Sequence, residues 1–491
     1  MKRRKLKPII VLMAGILFLF SSAGKSMGEN LLTMDDFLAQ VKSNNPDIKA
    51  ANYSLDSMGK KVLEMDMVYS PFLSANYSWL DDQSGPGYGA SWYPKEMKID
   101  NWNFGFNKKF RTGSTLTAGY TNTFMNIDLL LPLNIFGMSY STINGYNIKP
   151  FIRVEQSLLR DLMSGMTGAG IEKAKSAVKA GQYMQVFRNQ QTMFRARSMY
   201  FMLALSREIV NFRKEELGRA ETIMNWNENR VNMDLADKGD LLQTQALYKA
   251  RQLGLQMALE DEKNACRDFN EIRGIPGDVI NEELNKLSDI ISSCSGVRML
   301  SFTGERADVL SAKASFQSSE YAKKETFYRS LPDLTIYGMT SLYGLDMSYF
   351  GAADQIRGWD KPTYSIGANL IIPLDFNTLT KVKKGYELDF QSAKESLDKA
   401  EIGAKKDWIK LSENWNNVKN RLGLAMQVKD IQAQRLENEN LKFKRGRTTT
   451  FQLLSAENDL NDATLNVYRM MMEELITYYQ VELYNTTALK D

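Results

Sequence analysis

The sequence predicts a mainly helical protein with a membrane-type β portion, built from two copies of one elongated unit. Three observations carry that prediction. The 11 prolines leave two long gaps, from Phe151 to Ile275 and from Leu374 to Asp491. Apolar residues inside those gaps recur every seven positions. Between Leu73 and Ile152 the composition changes to alternating runs rich in Gly, Asn, Ser, Thr, Tyr and Trp.

The elements follow in order. Lys2, Arg3, Arg4, Lys5 and Lys7 precede an apolar run from Ile9 to Phe20, and small residues follow at Ser21, Ser22 and Ala23. That is the layout of a secretory signal over residues 1–28, and the run is short for a membrane span. The whole chain has 62 basic and 58 acidic residues, a net of +4. Cleavage near Gly28 removes six basic and no acidic residues, which leaves 56 against 58 and a net of −2. The basic balance belongs to the leader, so no nucleic-acid partner is expected.

The first unit, 29–274, opens with a helix and passes into strands over 72–156. Trp102, Phe104, Phe106, Lys108 and Phe110 alternate, Arg111-Thr112-Gly113-Ser114 is a turn signal, and Leu116, Ala118 and Tyr120 alternate again. This reads as a hairpin with one apolar-aromatic face, a pattern shared with outer-membrane barrel strands. A long helical hairpin is expected over 157–274. Proline removes a donor and clashes with the preceding turn, so its absence favours long helices. Phe187, Phe194 and Phe201 lie on one seven-residue row, and Leu205 and Phe212 on a neighbouring one. A helix from Gly170 to Asn232 would be roughly 90 Å long, more than an ordinary globular core.

A linker over 275–300 leads to the second unit, 301–491. It repeats the order: a helix, strands over 333–374 and a helical hairpin over 375–487. Tyr364, Ile366, Ala368 and Leu370 alternate, whereas Leu397, Ala404, Leu411, Val418 and Ala425 step by seven, with Trp408, Trp415 and Leu422 four positions on. That stripe has coiled-coil spacing.

Direct comparison of the halves supports duplication. A shift of 261 places Asp47, Ala51, Ser54, Ser57, Pro71 and Leu73 on Asp308, Ala312, Ser315, Ser318, Pro332 and Leu334. After the strands the offset is 216, pairing Ser157-Leu158 with Pro373-Leu374, and then 212, pairing Leu241-Leu242 with Leu453-Leu454. The falling offset means that the first copy holds about 45 extra residues in its β portion, the size of the additional hairpin.

Composition excludes much chemistry. The chain has no histidine and two cysteines, so Ser-His-Asp triads and His-ligated metal sites are ruled out. Mean hydropathy of −0.37 excludes a polytopic helical membrane protein. Gly165, Gly168 and Gly170 are not followed by Gly-Lys-Ser, so they read as a strand-to-helix loop and not as a phosphate cradle. No catalytic residue, cofactor or metal is expected.

At this point the chain resembles the TolC family of outer-membrane efflux and secretion channels. Leu32 to Pro46 is similar to the family's opening helix, which ends in Asn-Pro. Ser70-Pro71-Phe72-Leu73 and Ser330-Leu331-Pro332-Asp333-Leu334 look like its two helix-to-strand junctions. Val154 to Arg160 and Leu370 to Leu374 look like the two returns from barrel to helix. The resemblance covers almost the whole chain after the leader and rests on order, spacing and duplication together.

It implies a TolC-type fold in a homotrimer. Long coiled-coil helices would form a periplasmic α-barrel, and strands of each subunit would join one β-barrel in outer-membrane lipid. The implied function is the exit duct of a tripartite efflux pump or type I secretion system. It would conduct cargo passively from a periplasmic adaptor (membrane fusion) protein and an inner-membrane transporter of RND, ABC or MFS type. The family's simplest members use two strands per half, and the extra hairpin departs from that plan.

In the family the periplasmic turns of the long hairpins form the gate and meet the adaptor. Here they map to 230–242 and 442–454. Asp240 falls on the gate-side acidic position, whereas Gln452 and Ser455 stand where members with an acidic ring carry Asp. Arg445 and Arg447 in one turn could pair with Asp234, Asp237 or Asp240 in the other. Gly446 matches the family's tip glycine, and Asp234 replaces it in the first half. Cys266 and Cys294 would meet an oxidising periplasm, where a disulfide would tie a helix end to the linker. The rival readings are an exported coiled-coil structural protein or adhesin, which leaves the duplicated strands unexplained, and an exported carbohydrate-active enzyme, for which long hairpins offer no concave site.

Overall fold

The computed structural model describes residues 31–83, 94–129, 141–294, 306–359 and 362–484. The expected leader lies outside them. The first half contains β1 (Leu31–Leu32), α1 (Met34–Asn44), α2 (Pro46–Lys61) and a 3-10 segment (Val62–Tyr69). Four long strands follow, β2 (Phe72–Asp82), β3 (Pro94–Lys109), β4 (Ser114–Leu129) and β5 (Ser141–Ser157), then α3 (Gly165–Asn232) and α4 (Lys238–Arg273). Next come β6 (Glu283–Leu284) and α5 (Leu287–Cys294). The second half contains α6 (Ala307–Arg329), β7 (Asp333–Leu342), β8 (Gly344–Asp346), α7 (Tyr349–Arg357), β9 (Pro362–Ile371), α8 (Phe376–Lys444) and α9 (Thr450–Gln480).

The helices α3 and α8 have 68 and 69 residues, about 100 Å each at 1.5 Å per residue. Their sequence stripes are what they bury. Ala404, Leu411, Val418, Leu422 and Ala425 are all buried, as are Phe201 and Phe212. Trp408 packs edge-on against Tyr484, and Trp415 stacks on Tyr478.

Each long helix is flanked by two shorter helices placed end to end. Along α3 these are α4 and α2. The buried Asn45 joins them: its Oδ1 caps α2 by accepting from the backbone N–H groups of Asp47 and Ile48, and its Nδ2 donates 2.8 Å to the Ile272 carbonyl. Pro46 fits the first helical position because its missing N–H has no partner there. Along α8 the pair is α9 and α6, joined by Arg306, which contacts Asp308, Asp407 and the Tyr484 hydroxyl. Asn45 and Arg306 are themselves 261 positions apart, so the same junction is fastened by different chemistry in each half.

At this level lies the main core. Phe37 stacks on Phe269 at 4.3 Å between centroids. The buried Tyr200 hydroxyl donates to the Leu32 carbonyl and accepts from the Asn285 N–H. The parallel pair of β1 with β6 clasps the linker to the helices. Replacing Phe37 by Ala would cost about 3–5 kcal/mol, the usual range for an enclosed aromatic.

The long strands form one antiparallel sheet in the order β2-β3-β4-β5-β7-β9, with β8 beside β5. The three glycines expected to form a loop before α3 lie instead in its first two turns. The reason is packing: a Cβ on Gly165 would lie 2.8 Å from the Tyr328 ring of α6. The reversal into the helix falls one step earlier, at Met163 and Ser164, which both have positive φ.

Candidate conduit: the sheet faces and the helical tips

The register sorts the sheet into two unlike faces, because directly paired residues share a face and successive residues alternate. On one face Leu73 pairs with Phe106, Ala118 with Ile152, Ile336 with Ala368, and Leu334 with Leu370. Tyr77, Trp102, Tyr120 and Ile366 share it. On the other face Ser74, Asn103, Thr117, Thr121, Lys149, Arg153, Glu155, Thr335 and Asn369 predominate. The apolar face is open: Leu73 is 83% exposed and Ile366 91%. In water such a face would drive aggregation, whereas hydrocarbon would cover it. The helix α7 rests on it, with the Tyr349 and Tyr120 hydroxyls 3.0 Å apart.

Where the sheet meets the helices, the β3–β4 turn is fastened to the chain leaving β5. Lys109 lies 2.7 Å from Asp161, whose carboxylate also accepts from the backbone and hydroxyl of Thr167. Burial pushes the Asp161 carboxyl up, but the bonds from Lys109 and Thr167 outweigh it and hold the group below its ordinary range. Gln156 donates to the Thr112 carbonyl. Gly113 has a φ of 83°, and a Cβ there would lie 2.0 Å from the Asp161 carbonyl oxygen. Arg160 reaches the Leu331 carbonyl and Asp333, which ties the two halves at this neck.

At the opposite end the two helical turns have one geometry. Asp234 and Gly446 both adopt the left-handed conformation, with φ of 57° and 67°. Beyond each, a backbone N–H returns to the last helical turn, Leu235 to Arg230 and Arg447 to Lys442. Thr449 caps α9 by accepting from the Gln452 N–H. Thr448 bonds both Glu439 and Gln452, and bonds from Lys442 and Thr448 hold the Glu439 carboxyl below its ordinary range.

The structure leaves Asp234, Asp237, Arg445, Gly446, Arg447 and Gln452 exposed and Asp240 and Ser455 half-buried. Within one chain, among the described residues, no ion pair joins Arg445 or Arg447 to Asp234, Asp237 or Asp240. The hairpins are held together by apolar contact above the tips, where Trp226 of α3 meets Phe443 of α8 edge-on at 5.1 Å between centroids. Leu453, Leu454 and Ile223 pack into the same cluster. Cys266 is a free thiol buried at the main core, which pushes its pKa up, and the Cys294 side chain lies outside the described residues.

Sequence reasoning missed a charged layer above the tips. Glu216 of α3 is fully buried, 2.6 Å from Arg213 and 3.6 Å from Arg251 of α4. Arg219 of α3 crosses to α9, where its Nε lies 2.7 Å from the buried Glu457 and its NH2 donates to Asn461. Arg251 reaches Asn458 of α9 as well. Arg213, Glu216 and Arg219 recur every three residues, a spacing that solvated surface charges share, so the sequence alone does not mark them as buried.

Among the described residues no cluster is suited to hold a metal, and no helix is long and apolar enough to cross a membrane. The latter says nothing of a β-barrel.

The fold is shared with proteins of known structure. Chain for chain it matches outer-membrane channels of known structure. The outer-membrane channel OprN aligns over 92% of this chain and 89% of its own, with TM-score 0.64 and 12% identity. CusC, solved in work on folding and transmembrane channel formation, aligns over 94% and 95% with TM-score 0.65 and 10% identity. The outer membrane protein VceC of Vibrio cholerae aligns over 93% and 95% with TM-score 0.63 and 12% identity. No family model and no curated protein matches the chain by sequence. The chain therefore has the fold of these channels at sequence identities that carry the fold alone.

Proposed function

We infer that the protein is an exit duct of the outer membrane, the channel component of a tripartite efflux pump or type I secretion system. One observation carries the reading: a sheet with one apolar and one polar face is mounted on helical hairpins about 100 Å long. Neither an adhesin nor an enzyme needs that pairing of parts. Three copies would close the sheet in outer-membrane lipid and the hairpins in the periplasm, after residues 1–28 had directed export. A periplasmic adaptor and an inner-membrane transporter would meet the turns at 233–237 and 445–449. There Arg445 and Arg447 would face the acidic residues Asp234, Asp237 and Asp240 of neighbouring hairpins. Exposed pairs are worth about 0–1 kcal/mol each, so such a gate would open on contact with a partner.

Cell fractionation tests this reading. The mature protein is expected in the outer-membrane fraction as a trimer that dissociates on heating in detergent. Recovery as a soluble periplasmic monomer would sink the proposal.

A further inference from the structure

The sheet ends on two bare edges. Among the described residues, β2 and β9 pair on one side only. Unpaired backbone N–H and C=O groups have no partner in hydrocarbon, so an open edge does not persist there. We propose that β9 of one copy pairs with β2 of the next. Three copies of the six-strand path would then close a barrel of eighteen strands, not twelve. This rests on the trimeric duct proposed above and adds the identity of the joining edges and the girth of the barrel.

Direction is the first support. The six strands alternate, so β2 runs away from the helices and β9 runs back toward them. An even number lets every junction between copies be antiparallel.

Register is the second. With the two edges fully overlapped, Phe72 faces Ile371 and Asp81 faces Pro362. Leu73 then meets Leu370, Ala75 meets Ala368, and Trp79 meets Tyr364, all on the apolar face. Ser74 with Asn369 and Ser78 with Ser365 fall on the polar face. A slip of one residue would turn one edge's aromatic residues inward.

Strand tilt is the third. Followed through the observed pairs, Phe72 is level with Asn107, Thr117, Arg153, Met339 and Ser365. The helix-side ends Lys109, Ser114, Ser157, Asp333 and Ile371 lie two, three, four, six and six residues beyond that line. The sheet is therefore already slanted by about one residue per strand. Joining Ile371 to the next Phe72 continues the slant. At about 3.3 Å per residue and 4.8 Å per strand, it tilts the strands by about 35°, a value at which barrels close.

The extra hairpin is also built into the wall. Its turn is held to the neck by Lys109, Gln156 and Gly113. Eighteen strands at this tilt give a backbone diameter of about 33 Å, against about 22 Å for twelve, in the range where barrels leave an aqueous channel. Such a mouth filters little, and selection would fall to the tips.

Cysteine crosslinking in the full chain tests the joint, in a background of Cys266→Ser and Cys294→Ser. Ser78→Cys with Ser365→Cys should give covalently linked dimers and trimers on oxidation. Thr121→Cys with Ser365→Cys should stay monomeric on a denaturing gel, because β3 and β2 stand between β4 and the next copy. Linkage through Thr121→Cys would mean that β2 and β3 lie outside a twelve-strand barrel, and would overturn the proposal. So would the absence of both links in preparations that still form channels in lipid bilayers. Preparations of the background protein that form no channels would instead count against the duct itself. As a second measurement, deletion of 84–140 should leave a trimer whose mouth admits only smaller maleimide polymers to Thr335→Cys from outside. An unchanged size limit would contradict the wider barrel.

Discussion

Single residues decide the joints of this protein. Glu457 is nearly fully buried, and Arg219 is its ion-pair partner. Replacing Arg219 with Ala leaves a buried carboxylate uncompensated, and because Arg219 itself is a third exposed, the loss should be up to about 3 kcal/mol. Chemical denaturation would measure it, and adding Glu457→Gln should recover part of the loss. Asp161 makes the neck sensitive to acid. Its folded-state pKa lies below the ordinary 3.8, so its contribution is full above that value and lost as pH falls through the folded value. The thermal stability of the protein should fall in that acid range, and Lys109→Met should flatten the dependence. An identical pH profile in that variant would contradict the assignment.

At the scale of elements, the long helices and strands were legible because each announces its period. A stripe such as Leu411, Val418 and Ala425 repeats every seven residues, and Trp102, Phe104 and Phe106 repeat every two. The start of α3 was not legible. Glycines are poor helix formers, and the close approach that calls for one at Gly165 comes from the Tyr328 ring of a distant helix. The charged layer was equally hidden, because Arg213, Glu216 and Arg219 look like solvated surface until α4 and α9 close over them. The tips were readable in part. The left-handed positions at Asp234 and Gly446 follow from the offset of 212, but which charges meet depends on neighbours that one chain does not contain. At these two positions the offset makes opposite predictions. Asp234→Gly should stabilise its hairpin and Gly446→Ala should destabilise it, each by about 1 kcal/mol, since left-handed backbone disfavours side chains. Hydrogen exchange at the two turns would register both. If Arg445 and Arg447 help to close the gate, replacing both with Ala should raise single-channel conductance, and unchanged conductance would remove them from it.

The whole molecule is a repeated unit, and in the proposed duct its sheet and its helical hairpins would stand in two environments. Residues 1–28 carry the basic excess of the sequence, and what remains is almost neutral, as would suit the proposed conduit if it has no strong preference for one sign of cargo charge. Duplication explains why the same junction recurs at Asn45 and Arg306, and the extra hairpin of the first copy explains why it has four long strands against two in the second. On the proposed reading cargo identity is not written in the chain, because a passive duct would contact cargo only in passing. The central claim is that three copies enclose a continuous water-filled path. Purified mature trimer in planar lipid bilayers tests it most directly. Discrete, uniform conductance steps, enlarged by the Arg445 and Arg447 replacements, are the predicted result, and a membrane-inserted trimer that passes no ions in either form would contradict the account.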